Sequence, residues 1–199
     1  MSKFSRAVET KNALPSILIV CEGQRTEPNY FKSFPVVNKT VIKGTGRNTL
    51  SLVDYAISEK KKGDYDQTWC VFDEDSRTQD FDNAIKKCSS NDIFPAYSNE
   101  SFELWYVLHF EDIQSYTGLT RHQYCSKLDA HLPTKRKKDK PKYCKNDENN
   151  YNRLLPYQDT AIQRAKRLES QYPISIPFHQ RKPITSVHKL VEELNKFLK

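Results

Sequence analysis

The chain has 199 residues, enough for one domain, or one domain with an appended half, that buries a substantial core. Hydrophobic residues make up 37% and charged residues 29%, as in globular proteins, and every apolar run is far shorter than the roughly 20 residues that a membrane span requires. The formal net charge of +7 favours polyanionic partners such as DNA, RNA or nucleotides, although it also serves solubility.

The N-terminal segment and the cysteines bear on the compartment. Residues 1–16 carry no apolar signal core, so we expect a partly ordered arm and a cytoplasmic protein without membrane contact. The five cysteines form no CxxC pair, and buried thiols in a reducing compartment are their simplest interpretation.

Residues 17–112 alternate short apolar strands with helices. Strands are predicted at 17–21, 39–43, 68–72 and 93–97, the last with Pro95 at an edge or irregular position. Helices are predicted at about 27–34, at 102–110, and from the apolar stripes Leu50, Val53, Ile57 and Phe81, Ala84, Ile85, Cys88. Thr26 is the expected N-cap of the first helix. The alternation predicts an open, parallel α/β sheet flanked by helices, in which ligands bind beyond the carboxyl ends of the strands.

The pattern changes after residue 112. Helical stripes recur around Tyr124 and Leu128 and in two later segments, so residues 113–199 are predicted to form a helical extension packed on the core. Within it, residues 135–145 have no helical period and hold a basic cluster: Lys135, Arg136, Lys137, Lys138, Lys140, Lys142 and Lys145. A loop that binds nucleic-acid phosphates and a solvated connector are equally good interpretations.

Acidic residues follow three of the predicted strands. Glu22 follows the first strand, Asp73 and Asp75 follow the third, and Glu103 comes shortly after the fourth. Residues two apart on an extended strand point to one side, and parallel strands end at one edge, so these carboxylates are expected to meet. They would repel each other without a cation, and Mg²⁺ or Mn²⁺ suits such oxygen ligands. The alternative is that the aspartates only cap a turn or helix.

Four blocks of the sequence together resemble one family. "LIVCEGQRTEPNYF", "VFDEDS", "SNESFELWYVLHF" and "PITSVHKLVEEL" closely resemble the RloB-like proteins of the Toprim superfamily, which includes topoisomerases and bacterial primases. The resemblance runs from residue 17 to about 194 and implies a Toprim-like, Rossmann-like fold. It makes Glu22 the acid/base or metal-associated glutamate, and Asp73 and Asp75 the metal-binding pair. The family pattern has proline where this chain has Glu100.

The resemblance also implies chemistry on phosphodiester bonds. Topoisomerases add a tyrosine from a separate domain and primases add further domains, for which this chain has no room, so it looks most like a metal-dependent nuclease acting on DNA or on RNA, including tRNA. RloB-like proteins are associated with phage-defence and abortive-infection modules, where an ATPase partner is commonly encoded alongside. The alternative is a non-catalytic subunit that binds nucleic acid or the ATPase. The resemblance leaves open whether the protein forms an oligomer.

Further residues extend the predicted site. Glu27 and Glu103 are additional catalytic candidates, although Glu27 also suits the start of a helix. Lys145 is a candidate stabiliser of the phosphate charge. Arg47, in "KGTGRNT", is a candidate phosphate contact, although a tight turn is the simpler interpretation. His109 faces either the phosphate or the core. His122, Cys125, His131 and Cys144 offer zinc ligands, but their spacing fits no standard site.

Overall fold

A five-stranded mixed sheet forms the centre of the molecule. The computed structural model describes residues 14–74, 78–134 and 142–199. Its strands are β1 (Ile17–Cys21), β2 (Thr40–Gly44), β3 (Gln67–Asp73), β4 (Phe94–Asn99), β5 (Pro133–Thr134), β6 (Lys142–Tyr143) and β7 (Ile184–Thr185). The central sheet has the order β2-β1-β3-β4-β7, and β5 and β6 form a separate hairpin. The predicted α/β sheet is therefore confirmed, with four parallel strands.

The sheet is not wholly parallel, which corrects the prediction. The edge strand β7 runs antiparallel to β4 and pairs only with Ser98 and Asn99. A strand of two residues shows no periodicity, so its sequence gave no signal. The same holds for β6, which lies inside the segment predicted as a basic loop. Pro95 precedes the part of β4 that pairs with β7, which agrees with its predicted edge position.

Helices cover both faces of the sheet. They are α1 (Thr26–Lys32), α2 (Thr49–Lys62), α3 (Thr78–Ser89), α4 (Glu103–Phe110), α5 (Arg121–His131), α6 (Asn150–Leu154), α7 (Gln158–Ser170) and α8 (Val187–Asn195). The predicted capping role of Thr26 is wrong. Thr26 is the first helical residue, and Arg25 stands in the cap position without a side-chain cap, because the helix begins one residue earlier than predicted.

Two apolar layers enclose β1, which is buried along its whole length. Ile17, Ile19 and Cys21 face a layer shared with α1 and with α4 to α8. Leu18 and Val20 face the opposite layer, built from α2 and α3. Burial on both faces explains the unbroken apolar run of this strand. The C-terminal helices share a core with the sheet, and the predicted division at residue 112 stays a prediction.

Helix α4 is apolar on all sides because it lies inside the larger layer. Its residues from Glu103 to His109 are buried. His109 Nδ1 lies 2.9 Å from the carbonyl oxygen of Trp105, and burial lowers the pKa of His109 to about 4. His109 is therefore a neutral core residue and not a phosphate contact. The position of α4 leaves its first residue, Glu103, at the carboxyl edge of the sheet.

The remaining sequence expectations concern cysteines and membranes. All five cysteines lie among the described residues and are free, and Cys21, Cys70 and Cys88 are buried. In residues 14–74, 78–134 and 142–199, no helix is both long and apolar enough to cross a bilayer. The first thirteen residues of the predicted arm lie outside the described residues.

Candidate active site at the carboxyl edge of the sheet

The carboxyl ends of β1 and β3 bring Glu22 and Asp73 together. The two strands pair in parallel with Cys21 opposite Val71, and the Glu22 N–H extends the ladder by donating to the Val71 carbonyl at 2.8 Å. The Asp73 N–H in turn donates to Glu22 Oε2 at 3.1 Å. The Glu22 carboxylate therefore lies across the end of β3, as the parallel sheet predicts.

A cavity of about 460 Å³ opens beyond this edge. It is lined by residues from four elements and their loops: Glu22, Gly23, Gln24, Arg25, Thr26, Glu27, Asp73, Phe102, Glu103, Arg121, Lys145 and Asn146. The structure thus brings together five of the predicted site residues. Asp75, the second residue of the predicted aspartate pair, lies outside the described residues.

Gly23 makes room for the carboxylate of Glu27. A Cβ atom at position 23 would lie 2.0 Å from Glu27 Oε2, far inside any non-bonded contact distance. The start of this loop is also held by the segment after β2, where the Gly46 N–H donates to the Glu22 carbonyl at 2.8 Å. The Glu-Gly sequence after β1 therefore lets two carboxylates, Glu22 and Glu27, line one pocket.

Glu103 and Lys145 close another wall of the pocket. Glu103 begins α4 and is only 4% exposed. Lys145, two residues after β6, places Nζ at 3.7 Å from Glu103 Oε1, and its side chain is half-exposed. The basic segment predicted from the sequence thus contributes at least one cation to the pocket.

Arg121 is a site residue that the sequence analysis missed. Its Nη2 atom donates to Asp73 Oδ2 at 3.2 Å. It is the first residue of α5, which Thr120 caps through a capping box. Its backbone N–H donates to Glu100 Oε1 at 3.1 Å, while Glu100 Oε2 accepts from Lys182 Nζ at 2.6 Å. Glu100 therefore anchors the start of α5.

Burial and neighbouring negative charges raise the pKa values of two pocket acids, Asp73 and Glu27. Burial is the largest cause for Asp73, followed by the charges of Glu27 and Glu103, and the nearby Arg121 only partly offsets them. The pKa of Glu27 is also raised, mainly by burial and further by Glu103, against the opposing effects of its own backbone N–H, Lys145 and Arg121. The protein therefore holds these carboxylates in a place that disfavours their charge.

The donor set fits a hard divalent cation in its chemistry. Four carboxylates line the pocket, from Glu22, Glu27, Asp73 and Glu103, and oxygen ligands of this type are those that Mg²⁺ and Mn²⁺ prefer. Their arrangement is not yet a coordination sphere. Within the part of the chain that the structure describes, no three acidic, histidine or cysteine side chains converge as a metal-binding group.

The predicted nucleic-acid contacts are placed only in part. Arg47 stacks over the ring of Tyr55 at 4.7 Å and is not among the residues that line the pocket. Lys142 is exposed and lines a second cavity, which shares Lys145 and Asn146 with the first. The other basic residues of the predicted loop, which are Lys135, Arg136, Lys137, Lys138 and Lys140, lie outside the described residues.

The four residues weighed as zinc ligands do not come together. His122, Cys125 and Cys144 line the second cavity. His131 instead places Nε2 at 3.0 Å from Glu111 Oε1 and stacks on Phe110. These contacts explain the place of His131 without a metal.

Comparison with known proteins adds one match. The model of a family described as RloB-like protein matches residues 17–194, which include every residue that lines the pocket. No curated protein and no solved structure matches the chain. Because the family match spans nearly the whole sequence, the chain belongs to the RloB-like protein family.

Proposed function

We propose that this chain is a metal-dependent nuclease of the Toprim type, which hydrolyses phosphodiester bonds in nucleic acid. The observation that carries the proposal is the meeting of Glu22, Asp73 and Glu103 in one open pocket, at the edge where α/β sheets bind their ligands. The mostly parallel sheet and the family membership support the finer Toprim-like assignment.

Glu22 and Asp73 are the residues proposed to hold Mg²⁺ or Mn²⁺, with Asp75 as the third ligand implied by the family motif. Glu27 and Glu103 stand beside them in the pocket. When bound, the cation supplies Lewis acidity toward a phosphoryl oxygen and makes water more acidic.

The chain's own side chains supply the remaining requirements of hydrolysis. Arg121 and Lys145 place positive charge in the pocket, where it offsets the charge of a phosphodiester. Glu27, whose pKa is raised by burial, is suited to carry a proton to the leaving oxygen. Glu22, held by the Asp73 N–H, is suited to orient or deprotonate the attacking water.

The substrate and setting follow from charge and family. The net charge of +7 and the basic segment from Lys135 to Lys145 favour a nucleic acid, either DNA or RNA, including tRNA. The family resemblance supports a role as the effector of a bacterial anti-phage defence system, working with an ATPase partner. We extend the proposal to that role in the cytoplasm.

A non-catalytic subunit that binds nucleic acid or the ATPase is the second candidate. One observation favours it: the ion pair between Arg121 and Asp73 already compensates one of the proposed metal ligands. Such a subunit would use the same basic surface without cleaving its ligand.

Cleavage assays separate the two functions. The purified protein is incubated with labelled DNA and with total tRNA in Mg²⁺, Mn²⁺ or EDTA, alone and with the neighbouring ATPase. Asp73→Asn is the test variant. Asp66→Asn is its matched control, because Asp66 precedes the opposite end of β3 and accepts hydrogen bonds from Ser16. Metal-dependent cleavage that only Asp73→Asn abolishes supports the nuclease; no cleavage, or cleavage by a well-folded Asp73→Asn protein at the wild-type rate, supports the binding subunit.

A further inference from the structure

The ion pair of Arg121 and Asp73 joins a positioned carboxylate to an adjustable cation. Asp73 is the last residue of β3, its backbone donates to Glu22, and its side chain is 15% exposed. The Arg121 side chain is 47% exposed. The aspartate is therefore fixed by the sheet, while the guanidinium has room to move toward solvent.

The backbone of Arg121 is nevertheless held in place. The capping box of Thr120 and Gln123 defines the start of α5, and Glu100 accepts the Arg121 N–H. Lys182 holds the other oxygen of Glu100. A residue with an anchored backbone and a long, half-exposed side chain is able to leave one partner without unfolding its helix.

Arg121 also contacts a carboxylate that is proposed to bind the metal ion. It occupies Asp73 Oδ2, an oxygen of one of the proposed metal ligands. A guanidinium and a divalent cation that contact one carboxylate repel each other and draw on the same negative charge, so each weakens the binding of the other. The two cations therefore compete for the negative charge of Asp73.

We propose that Arg121 is an internal counter-cation, which holds Asp73 when no metal is present and competes with the divalent cation for it. This inference rests on the proposed function, because it takes Asp73 to be a metal ligand. Metal binding is then strongest when Arg121 turns away from Asp73. The displaced guanidinium stays at the mouth of the pocket, on the start of α5.

Metal titration followed by thermal melting tests the competition without measuring catalysis. Mn²⁺ and Mg²⁺ are titrated into wild-type protein and into the Arg121→Gln, Arg121→Lys and Arg167→Gln variants, and the dissociation constant is taken from the rise in melting temperature. Arg167 provides a matched control, because it is 50% exposed and pairs with one carboxylate, Asp112.

We expect Arg121→Gln to bind Mn²⁺ more tightly than wild type by up to about fivefold, the upper end of the range for a partly exposed ion pair. In EDTA it should melt at a lower temperature, because Asp73 loses its counter-charge. Arg121→Lys should stay near wild type, since it keeps the charge, and Arg167→Gln should bind metal as wild type does.

The outcomes separate the inference from the proposed function. If wild type binds Mn²⁺ and Arg121→Gln binds it equally or less tightly, the competition is overturned while the metal site stands. If only Arg121→Gln binds metal, the competition is supported. If no variant binds metal, both the metal site and the competition are overturned.

Discussion

Two carboxylates with little solvent exposure, those of Glu59 and Asp73, have opposite surroundings. Glu59 of α2 forms ion pairs with two lysines, Lys43 and Lys62, the latter at 2.7 Å. Hydrogen bonds from these lysines lower the pKa of Glu59, so its charge is favoured. One acid with two bases is an arrangement that stabilises a fold.

In the described part of the pocket, acidic side chains outnumber basic ones. Asp73 shares it with three other carboxylates, whereas the cationic side chains among the described residues of its lining are Arg25, Arg121 and Lys145. Burial and the neighbouring acids raise the pKa of Asp73. Carboxylates kept in surroundings that oppose their charge are typical of functional sites, and a divalent cation would restore the balance.

Among the substitutions in the pocket, Glu22→Gln should have the largest effect on turnover. Loss of an acid/base group lowers turnover by roughly 10²–10⁴-fold. Mn²⁺ should still bind through the remaining carboxylates, but more weakly, because Glu22 is also a proposed ligand. Cleavage rates and Mn²⁺ affinity are measured on the same samples. Glu59→Gln is the control, because it removes the same charge outside the pocket, and it should cleave at the wild-type rate. Equal rates for Glu22→Gln and wild type would contradict the role of Glu22.

Gly23→Ala should have the next largest effect. The new methyl group would displace the Glu27 carboxylate, and a displacement of about 1 Å at a reacting group costs about 10²-fold in rate. Gly63→Ala is the matched control, since the new Cβ would lie 2.2 Å from the Tyr65 ring, outside the pocket. We expect Gly63→Ala to change the melting temperature but not the turnover. A fully active Gly23→Ala protein would show that the position of Glu27 does not matter.

Removal of the two carboxylates should change stability in opposite directions. Without metal, Asp73→Asn relieves repulsion and is expected to raise the melting temperature by about 2–4 °C, whereas Glu59→Gln lowers it by leaving two lysines unpaired. Thermal melting in EDTA at pH 7 measures both changes. The comparison fails if both substitutions lower the melting temperature equally.

Asp73 and Glu59 should also make the stability of the protein depend on pH in opposite directions. Because the folded pKa of Asp73 is raised, its contribution to stability is full below the unfolded value of about 4 and is lost as pH rises through the folded value. The folded pKa of Glu59 is lowered, so its contribution is present above about 4 and is lost as pH falls. Urea unfolding in EDTA between pH 3 and 8 measures the free energy of unfolding. Asp73→Asn should reduce its fall at higher pH, and Glu59→Gln should reduce its fall at lower pH. Identical pH profiles for both variants would contradict the assignment.

Lys145→Gln should have the smallest effect. The Lys145 side chain lies 3.7 Å from Glu103 and is half-exposed, so we expect little change in stability. The affinity for nucleic acid should fall by up to about fivefold. Lys166→Gln is the control, because that lysine is equally exposed and pairs with Glu192 elsewhere on the surface. Equilibrium binding at two salt concentrations measures the difference, and equal affinities for the two variants would remove Lys145 from the site.

The part of the site that was predictable comes from the ends of strands. Glu22 follows one apolar strand and Asp73 ends another, and the parallel pairing of these strands places the two residues side by side. The local sequence and one rule of sheet topology were therefore sufficient to predict that they meet. Glu103 and Lys145 were found as well, because Glu103 comes shortly after the fourth strand and Lys145 lies in the basic segment.

Arg121 was not predictable for a physical reason. It reaches Asp73 across 48 positions of the sequence, from a helix that packs on the larger core layer. The Thr120 capping box marks where α5 begins, but a local motif does not say where a helix lies in space. The strand β7 was missed because two residues carry no period. Tertiary packing, not local pattern, decides both features.

A crystal structure with Mn²⁺ tests the central claim most directly. The account predicts anomalous density for one or more Mn²⁺ ions in contact with the carboxylates of Glu22 and Asp73, and Arg121 turned away from Asp73. A pocket without such density at saturating Mn²⁺, with Arg121 still paired to Asp73, would contradict the metal-dependent site.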